Sequence, residues 1–372
     1  MKRKLLRRVL AFSLAIGTLW TVIATMGTTS PDDAVRILQQ ASLAQQLVRW
    51  ELGDYFGDDS LPFCAHLALR QSPILLANRP ASAQAVPSTT STEKTQADTP
   101  DEAPDLPSAT LSDDLAFLDN GAPAETVIPK RKGYTVIGNV YIKNASVHTL
   151  QTASLSKGNF VATLTDKGPQ VLIVHTHGSE AYTMPSGHKY KASGAYRTTD
   201  TRYNVVRVGD EIAATLSQYG ISVLHDRVLH DCPSYNAAYD SSMAAIQRYL
   251  KKYPSLAFVL DIHRDAIEDS SGRQYKVVSK EEPHAAQVSL IMGSDYEAWQ
   301  ENLKLAVAVQ QTITESFPTL MRPITLRNNS YNQEASTGSL LVEIGTAGNS
   351  LDEAIYAARL FGQGFAKTLL AK

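Results

Sequence analysis

The sequence predicts an α/β fold: a mostly parallel or mixed sheet flanked by helices, preceded by a transmembrane helix and a disordered tether. Three observations carry this. Strand-like apolar runs alternate with helical patterns along the C-terminal part of the chain. Three of those runs end in histidine or glutamate: Val171-Leu-Ile-Val-His-Thr-His-Gly-Ser-Glu180, Leu256-Ala-Phe-Val-Leu-Asp-Ile-His-Arg-Asp265 and Ser339-Leu-Leu-Val-Glu-Ile-Gly345. That gathers reactive side chains at the strand ends, where open α/β sheets bind ligands. The third observation is the N-terminus, where a basic cluster precedes an uncharged stretch.

Taken in order, Lys2, Arg3, Lys4, Arg7 and Arg8 lead into Val9 to Met26, an uncharged run of 18 residues. A bilayer span needs roughly 17–25 such residues. The basic cluster stays cytoplasmic, so the remainder is expected on the far side of a cell membrane. A cleaved signal peptide is the alternative. The run exceeds the usual ~7–15-residue apolar region of such signals and lacks a small-x-small cleavage site, so a retained anchor over 1–28 is the expectation. Residues 29–78 read as a partly helical, membrane-proximal stalk, with Val35, Leu38, Leu43, Leu47 and Trp50 at rough helical spacing. Residues 79–128 are rich in Ala, Pro, Ser, Thr and Asp with few large apolar side chains. Such a segment buries too little surface to offset chain entropy and is expected to be a disordered linker.

The folded domain is expected over 129–372. Strands are predicted at 134–142, 171–175, 221–225, 256–262, 286–292 and 339–344. One helix presents Val205, Val208, Ile212 and Leu216, with Gly220 to stop it. A second presents Trp299, Leu303, Ala306 and Ile313, with Ser294 and Glu297 as a capping box. A third presents Leu351, Ile355, Ala358 and Phe365, capped by Ser350 and Glu353. The net charge of −2 gives no electrostatic case for nucleic acid. The two cysteines, Cys64 and Cys232, form neither a disulfide framework nor a metal motif.

Two histidines and a glutamate with one open position form an established set for catalytic zinc. His177-x-x-Glu180 supplies two donors from a tight turn after a strand, and His263 supplies a third from another strand end. Glu343 suits the general acid–base role, because a carboxylate inside so apolar a run needs a partner or a task. Rivals stand beside these assignments. His175 competes with His177 as ligand or supports it, and Asp200 competes with Glu180 unless it is a helix N-cap. Arg264 suits a substrate carboxylate or a developing oxyanion, or else pairs with Asp265. Asp261 and Asp265 are placed to orient a ligand histidine. Tyr331, Asn332 and Gln333 either line a groove or belong to a solvated loop. His188, His225, His230 and His284 read as surface or structural residues. Ser179 lacks the Gly-x-Ser-x-Gly elbow of a serine hydrolase.

The blocks His175-Thr-His-Gly-Ser-Glu180, Asn204-Val-Val-Arg-Val-Gly209, Asp261-Ile-His-Arg-Asp265 and Tyr331-Asn-Gln with Leu340-Leu-Val-Glu-Ile-Gly345 resemble the stage II sporulation protein P family, in order, over roughly 130–372. That family is similar to zinc N-acetylmuramoyl-L-alanine amidases. The resemblance implies a Zn2+ hydrolase that cuts the amide between N-acetylmuramic acid and L-alanine in peptidoglycan, with added activity on peptide cross-links. It implies His177 and His263 as ligands and Glu343 as the catalytic glutamate. The third ligand is Asp200 by the amidase pattern of an acid four residues before a helix-start Asn. It is Glu180 by the His-x-x-Glu spacing of zinc carboxypeptidases, and Glu180 is favoured. Stage II sporulation proteins D and M are the implied partners. The implied setting is engulfment of the forespore, with the domain facing the space between mother cell and forespore membranes. A zinc carboxypeptidase or endopeptidase trimming stem peptides, and a non-catalytic wall-binding scaffold, are the rival readings.

Overall fold

The computed structural model describes residues 111–372, apart from 157, 158 and 166. The expected anchor, stalk and first part of the tether lie outside the described residues. Among the described residues no helix is long and apolar enough to cross a membrane.

The strands are β1 (Ala124–Glu125), β2 (Thr135–Ile137), β3 (Val140–Asn144), β4 (Val171–Val174), β5 (Val223–His225), β6 (Phe258–Asp265), β7 (Lys276–Val277), β8 (Val288–Gly293), β9 (Ile324–Arg327) and β10 (Ser339–Thr346). The helices are α1 (Thr152–Leu155), α2 (Val205–Gln218), α3 (Ala238–Lys252), α4 (Trp299–Ser316) and α5 (Leu351–Leu370). Eight strands form one sheet in the order β2-β3-β9-β8-β10-β6-β4-β5. Five of its seven pairings are parallel; β2–β3 and β8–β10 are antiparallel. The sheet is therefore mixed.

Strand alternation divides the side chains between two faces. On one face Phe258, Leu260, Leu340, Val342, Leu290 and Ile324 join the main core with residues of α2, α4 and α5. Phe258 packs edge-on to Phe365, with ring centroids 5.9 Å apart. On the other face Leu172, Val174, Leu224 and Val259 form a smaller core with Ile246 of α3. Helix α3 covers only the β4 end of that face. Leu341, Glu343, Ser289, Ile291 and Thr325, on the same face of β10, β8 and β9, line a cavity instead. The half-covered second face is what creates room for a site.

Local rules explain most of the elements. Gly220 ends α2 in a left-handed conformation at φ 76°. Its N–H reaches Ser217 O and the Ile221 N–H reaches Leu216 O, the paired bonds of a Schellman stop. The Ser350–Glu353 capping box is present at α5. Ser350→Ala removes the acceptor for the Glu353 N–H and is expected to lower stability by about 1 kcal/mol, read as a lower denaturant midpoint at unchanged slope.

Four expectations need correction. Residues 134–142 form a hairpin, because Gly138 (φ 60°) and Asn139 make a two-residue turn between the paired Ile137 and Val140. Ser294 and Glu297 do not cap α4: the helix starts after Ala298, and Ser294 Oγ donates to Arg327 O. Asp200 is not an N-cap, since Asn204 accepts from the Val206 N–H at the start of α2. Residues 111–128, assigned by composition to the tether, lie on the domain. The Ala116 and Phe117 N–H groups donate to Asp352, Asn120 donates to Gly348 O, and the Val127 N–H donates to Gln287. Phe117 packs against His284 at 4.5 Å between ring centroids. Hydrogen bonds to fixed partners and the packing of Phe117 hold this segment, whose Leu111, Leu115, Phe117 and Leu118 are diluted when composition is averaged over 79–128.

Candidate active site

Four of the candidates meet in one cavity of ≈ 450 Å³. His177, Glu180, His263 and Glu343 all line it, with Tyr239 and Tyr331. Strand β4 ends at Val174 and the chain turns tightly, with the Glu180 N–H donating to His177 O. Glu180 is fixed further where the Val205 N–H donates to its carbonyl. His263 and Glu343 are register partners on the adjacent parallel strands β6 and β10, so both side chains rise from the same face.

His263 stands between two carboxylates. Its Nδ1 is 3.4 Å from Glu180 Oε2. Its Nε2 is 3.0 Å from Asp261 Oδ1, a charge contact outside hydrogen-bond alignment. Burial alone would lower the imidazole, but Asp261 and Glu180 raise it well above the usual histidine value. Asp261 is held in turn by the Thr176 N–H at 2.8 Å and the Thr176 hydroxyl at 2.6 Å. Burial pushes Glu180 up, but Arg264 and His263 bring its carboxyl well below the ordinary range. His177 is held neutral by burial, its imidazole lowered to about 4. Its ring stacks on Tyr235 at 4.4 Å and meets Tyr239 edge-on at 5.5 Å. Glu343 differs from every other carboxylate here. Burial, then the charge of Asp265, push it up to about 8, and its Oε2 is shielded from solvent without a hydrogen-bond partner.

The remaining candidates fall elsewhere. His175 is fully buried away from the cavity, with Nδ1 at 3.0 Å from Ile262 O and Nε2 at 2.7 Å from His225 Nε2. Burial, then the neighbouring His225, lower it to about 3. His225 continues to Asp210 at 3.1 Å, so these histidines buttress the site from beneath. Gly209 of α2 approaches both rings; a Cβ there would lie 2.7 Å from each Nε2. Gly209→Ala is expected to destabilise by about 1–3 kcal/mol through overpacking, read by thermal unfolding. Asp200 gives its carboxylate to Arg202 at 2.6 Å and does not line the cavity. Arg264 does not line it either, since alternation turns it to the other face, where it donates to Ala181 O and Tyr196 O. Its backbone N–H holds Glu180 Oε2 at 3.1 Å. The expected roles for Arg264 at a substrate carboxylate or oxyanion are thus replaced by positioning of Glu180 and its loop. The Asp265 carboxylate pairs with Arg322 at 2.8 Å, and Arg264's guanidinium reaches only the Asp265 backbone carbonyl, at 3.5 Å. Tyr331 lines the cavity, whereas Asn332 and Gln333 are buried: Asn332 donates to Tyr239 O, and Gln333 accepts from the Gly293 N–H.

Sequence reasoning missed Arg197, Asp231, Tyr235 and Tyr239. Arg197 reaches Asp231 at 3.0 Å, Ser179 Oγ at 3.2 Å and Glu180 Oε1 at 3.4 Å, and lies 4.8 Å over the Tyr235 ring. None of these residues belongs to an apolar run or a spaced motif.

The profile of stage II sporulation protein P matches residues 81–366. The chain belongs to the stage II sporulation protein P family. A member from Bacillus subtilis (strain 168), named stage II sporulation protein P, is 24% identical over 208 residues, covering 53% of this chain and 50% of that protein. The chain thus spans half the length of this curated relative. Among solved structures the chain is similar to the CwlD amidase of Clostridioides difficile in complex with the GerS lipoprotein (14% identity, 55% of this chain and 100% of that one, TM-score 0.35). It is also similar to the N-acetylmuramoyl-L-alanine amidase AmiC2 of Nostoc punctiforme (15%, 55% and 97%, TM-score 0.33). A further similar structure is the amidase Ami1 of Mycobacterium smegmatis (15%, 57% and 100%, TM-score 0.35). These values are too low to transfer a residue role or a substrate.

In this member of the family, two imidazoles and a carboxylate stand together, the donor types that suit zinc. The buried His177 Nδ1 has no hydrogen-bond partner and is free to ligate, whereas His263 Nε2 faces Asp261 Oδ1 at 3.0 Å. Among the described residues no three such groups surround one coordination point. The reason is local: His263 is turned between Asp261 and Glu180, where its own positive charge balances the two carboxylates.

Proposed function

We propose that this chain is a peptidoglycan hydrolase of sporulation that cleaves the amide between N-acetylmuramic acid and L-alanine. The observation that supports this reading most is Glu343. A carboxyl with a bare, shielded Oε2 stands in the same cavity as His177, Glu180 and His263.

In this reading His177, Glu180 and His263 hold a zinc ion. When bound, the ion supplies polarisation of a carbonyl and a more acidic water at neutral pH. The chain's own residues do the rest. Tyr235 and Tyr239 fix the plane of the His177 ring. Arg197 and the Arg264 N–H hold the two oxygens of Glu180. Asp261 and Thr176 fix the side of His263 away from the cavity. Glu343 moves the proton, taking it from water and delivering it to the leaving amine. Its carboxyl at about 8 makes both directions accessible near neutral pH.

The run Val9–Met26 serves as the membrane anchor of this reading and sets the domain on the extracytoplasmic side of the mother-cell membrane. Stage II sporulation proteins D and M are its proposed partners.

The test is mass spectrometry of purified peptidoglycan digested by the full chain, with and without a chelator. Chelator-sensitive release of intact stem peptides from glycan is the expected result. Released amino acids or cut cross-links alone would replace it with a peptidase, and zinc binding with no product would indicate a scaffold.

A further inference from the structure

The cavity extends well beyond the residues that the chemistry uses. From Glu343 on β10 it crosses Ser289 and Ile291 on β8 and Thr325 and Arg327 on β9 to Lys143 on β3. This is the part of the second face that α3 leaves uncovered. Its floor near Glu343 is apolar, Leu341 and Ile291, and Tyr134 stands beside Lys143 and Arg327 at its far end.

The charge along this path is uneven. Lys143 and Arg327 are exposed and have no hydrogen bond or ion pair from their side chains among the described residues. Arg322, 7% exposed, spends Nη1 on Asp265, while its Nε and Nη2 have no partner. A guanidinium so buried ordinarily has its donors satisfied. Lys143 and Arg327 therefore stand at the far end of the path with no carboxylate lining it there, while Arg322 offers its two spare donors at the near end, between Asp265 and Glu343.

We infer that the uncovered half of the sheet seats a short, extended peptide bearing carboxylates, with its acid groups received by Arg327, Lys143 and Arg322. Length supports this occupant. Three strand spacings of ~4.8 Å separate β10 from β3, a path of about 14 Å, which about four extended residues span at ~3.3 Å each. A peptide whose scissile amide sits at Glu343 thus passes Arg322 near the cut and carries its third and fourth residues to Arg327 and Lys143. Arginine forks match carboxylate geometry, and the exposed lysine adds a point charge. The inference rests on the proposed amidase reading, in which the peptide is the stem being released, and it adds that recognition runs along the stem and depends on its acid groups.

The test uses the full chain and two synthetic muramyl tetrapeptides that differ only in carrying free or amidated carboxylates. The Lys143→Ala/Arg327→Ala double variant is expected to raise KM for the acidic substrate by about tenfold and to lower kcat far less. The amidated substrate should have a high KM with either protein. Arg327→Lys should recover part of the loss, and added salt should mimic it. Equal KM values for the two substrates, or a double variant that loses kcat instead, would overturn the inference while leaving the amidase reading intact. Binding of the uncut acidic peptide to Glu343→Gln, followed by calorimetry, separates the two questions. Charge-dependent binding without turnover in the wild-type chain keeps the peptide seat and removes the amidase. No charge-dependent binding removes the seat.

Discussion

Glu343→Gln is expected to lower kcat/KM on a muramyl peptide by about 10²–10⁴-fold while zinc content stays at the wild-type level. The amide of Gln matches the carboxyl in shape but cannot carry the proton. Nothing in the fold relies on Glu343 Oε2, which has no hydrogen-bond partner. Undiminished turnover would remove Glu343 from the chemistry. A second readout moves the other way. Because the Glu343 carboxyl is pushed up to about 8 from its usual 4.5, the native state keeps a proton that the unfolded chain has lost between those values. Stability of the metal-free wild type therefore falls as pH rises through that window, since the unfolded state binds fewer protons there. Glu343→Gln removes this linkage. With chelator present, the variant should unfold at a higher temperature than wild type, by a margin that is small near pH 4.5 and full by pH 8. A residue that costs stability and gives no catalysis has no reason to sit there; one that trades stability for activity does.

Much of this site is legible in sequence, and the line between what is and what is not has a physical basis. His177, Glu180, His263 and Glu343 follow apolar runs, and a polar group at the end of a buried strand stands out. The β6–β10 pairing then brings His263 and Glu343 side by side without further instruction. Helix α3 is another matter. It buries Ala238, Ser242, Ala245 and Ile246 at helical spacing, but three of these four side chains are small, so the stripe carries little apolar weight. Yet α3 brings Tyr239, and the turn before it Tyr235, against His177. Strand β9 is four residues long, and its place beside β3 and β8 is set by pairing rather than by its own composition. Arg264 shows the limit of adjacency. It follows His263 in sequence but faces the opposite way, because one residue along a strand is a change of face. Arg197 shows the converse, lying in a loop that no periodicity marks and reaching Glu180, Ser179 and Asp231 through the folded chain.

His263→Ala is expected to abolish zinc binding and hydrolysis together, and unlike His177→Ala to weaken the fold as well. Both variants delete an imidazole from the same cavity, so loss of metal alone cannot tell them apart. Their electrostatic settings can. His177 is neutral and its Nδ1 has no partner, so its removal breaks little beyond the stack on Tyr235. His263 is the cation between Asp261 and Glu180. Removing it leaves two buried carboxylates facing each other across the gap. Asp261 keeps the Thr176 bonds and Glu180 keeps Arg197 and the Arg264 N–H, which limits the damage. Breaking one side of a buried ion pair typically costs about 3–5 kcal/mol, and these remaining partners should hold the loss to the lower end. Metal analysis and denaturant unfolding of the two purified variants, both with chelator present for the unfolding, read the contrast directly. Full zinc occupancy in His263→Ala would remove it from the ligand set. Equal stability of the two variants would mean that His263 does not hold the charge assigned to it between those carboxylates.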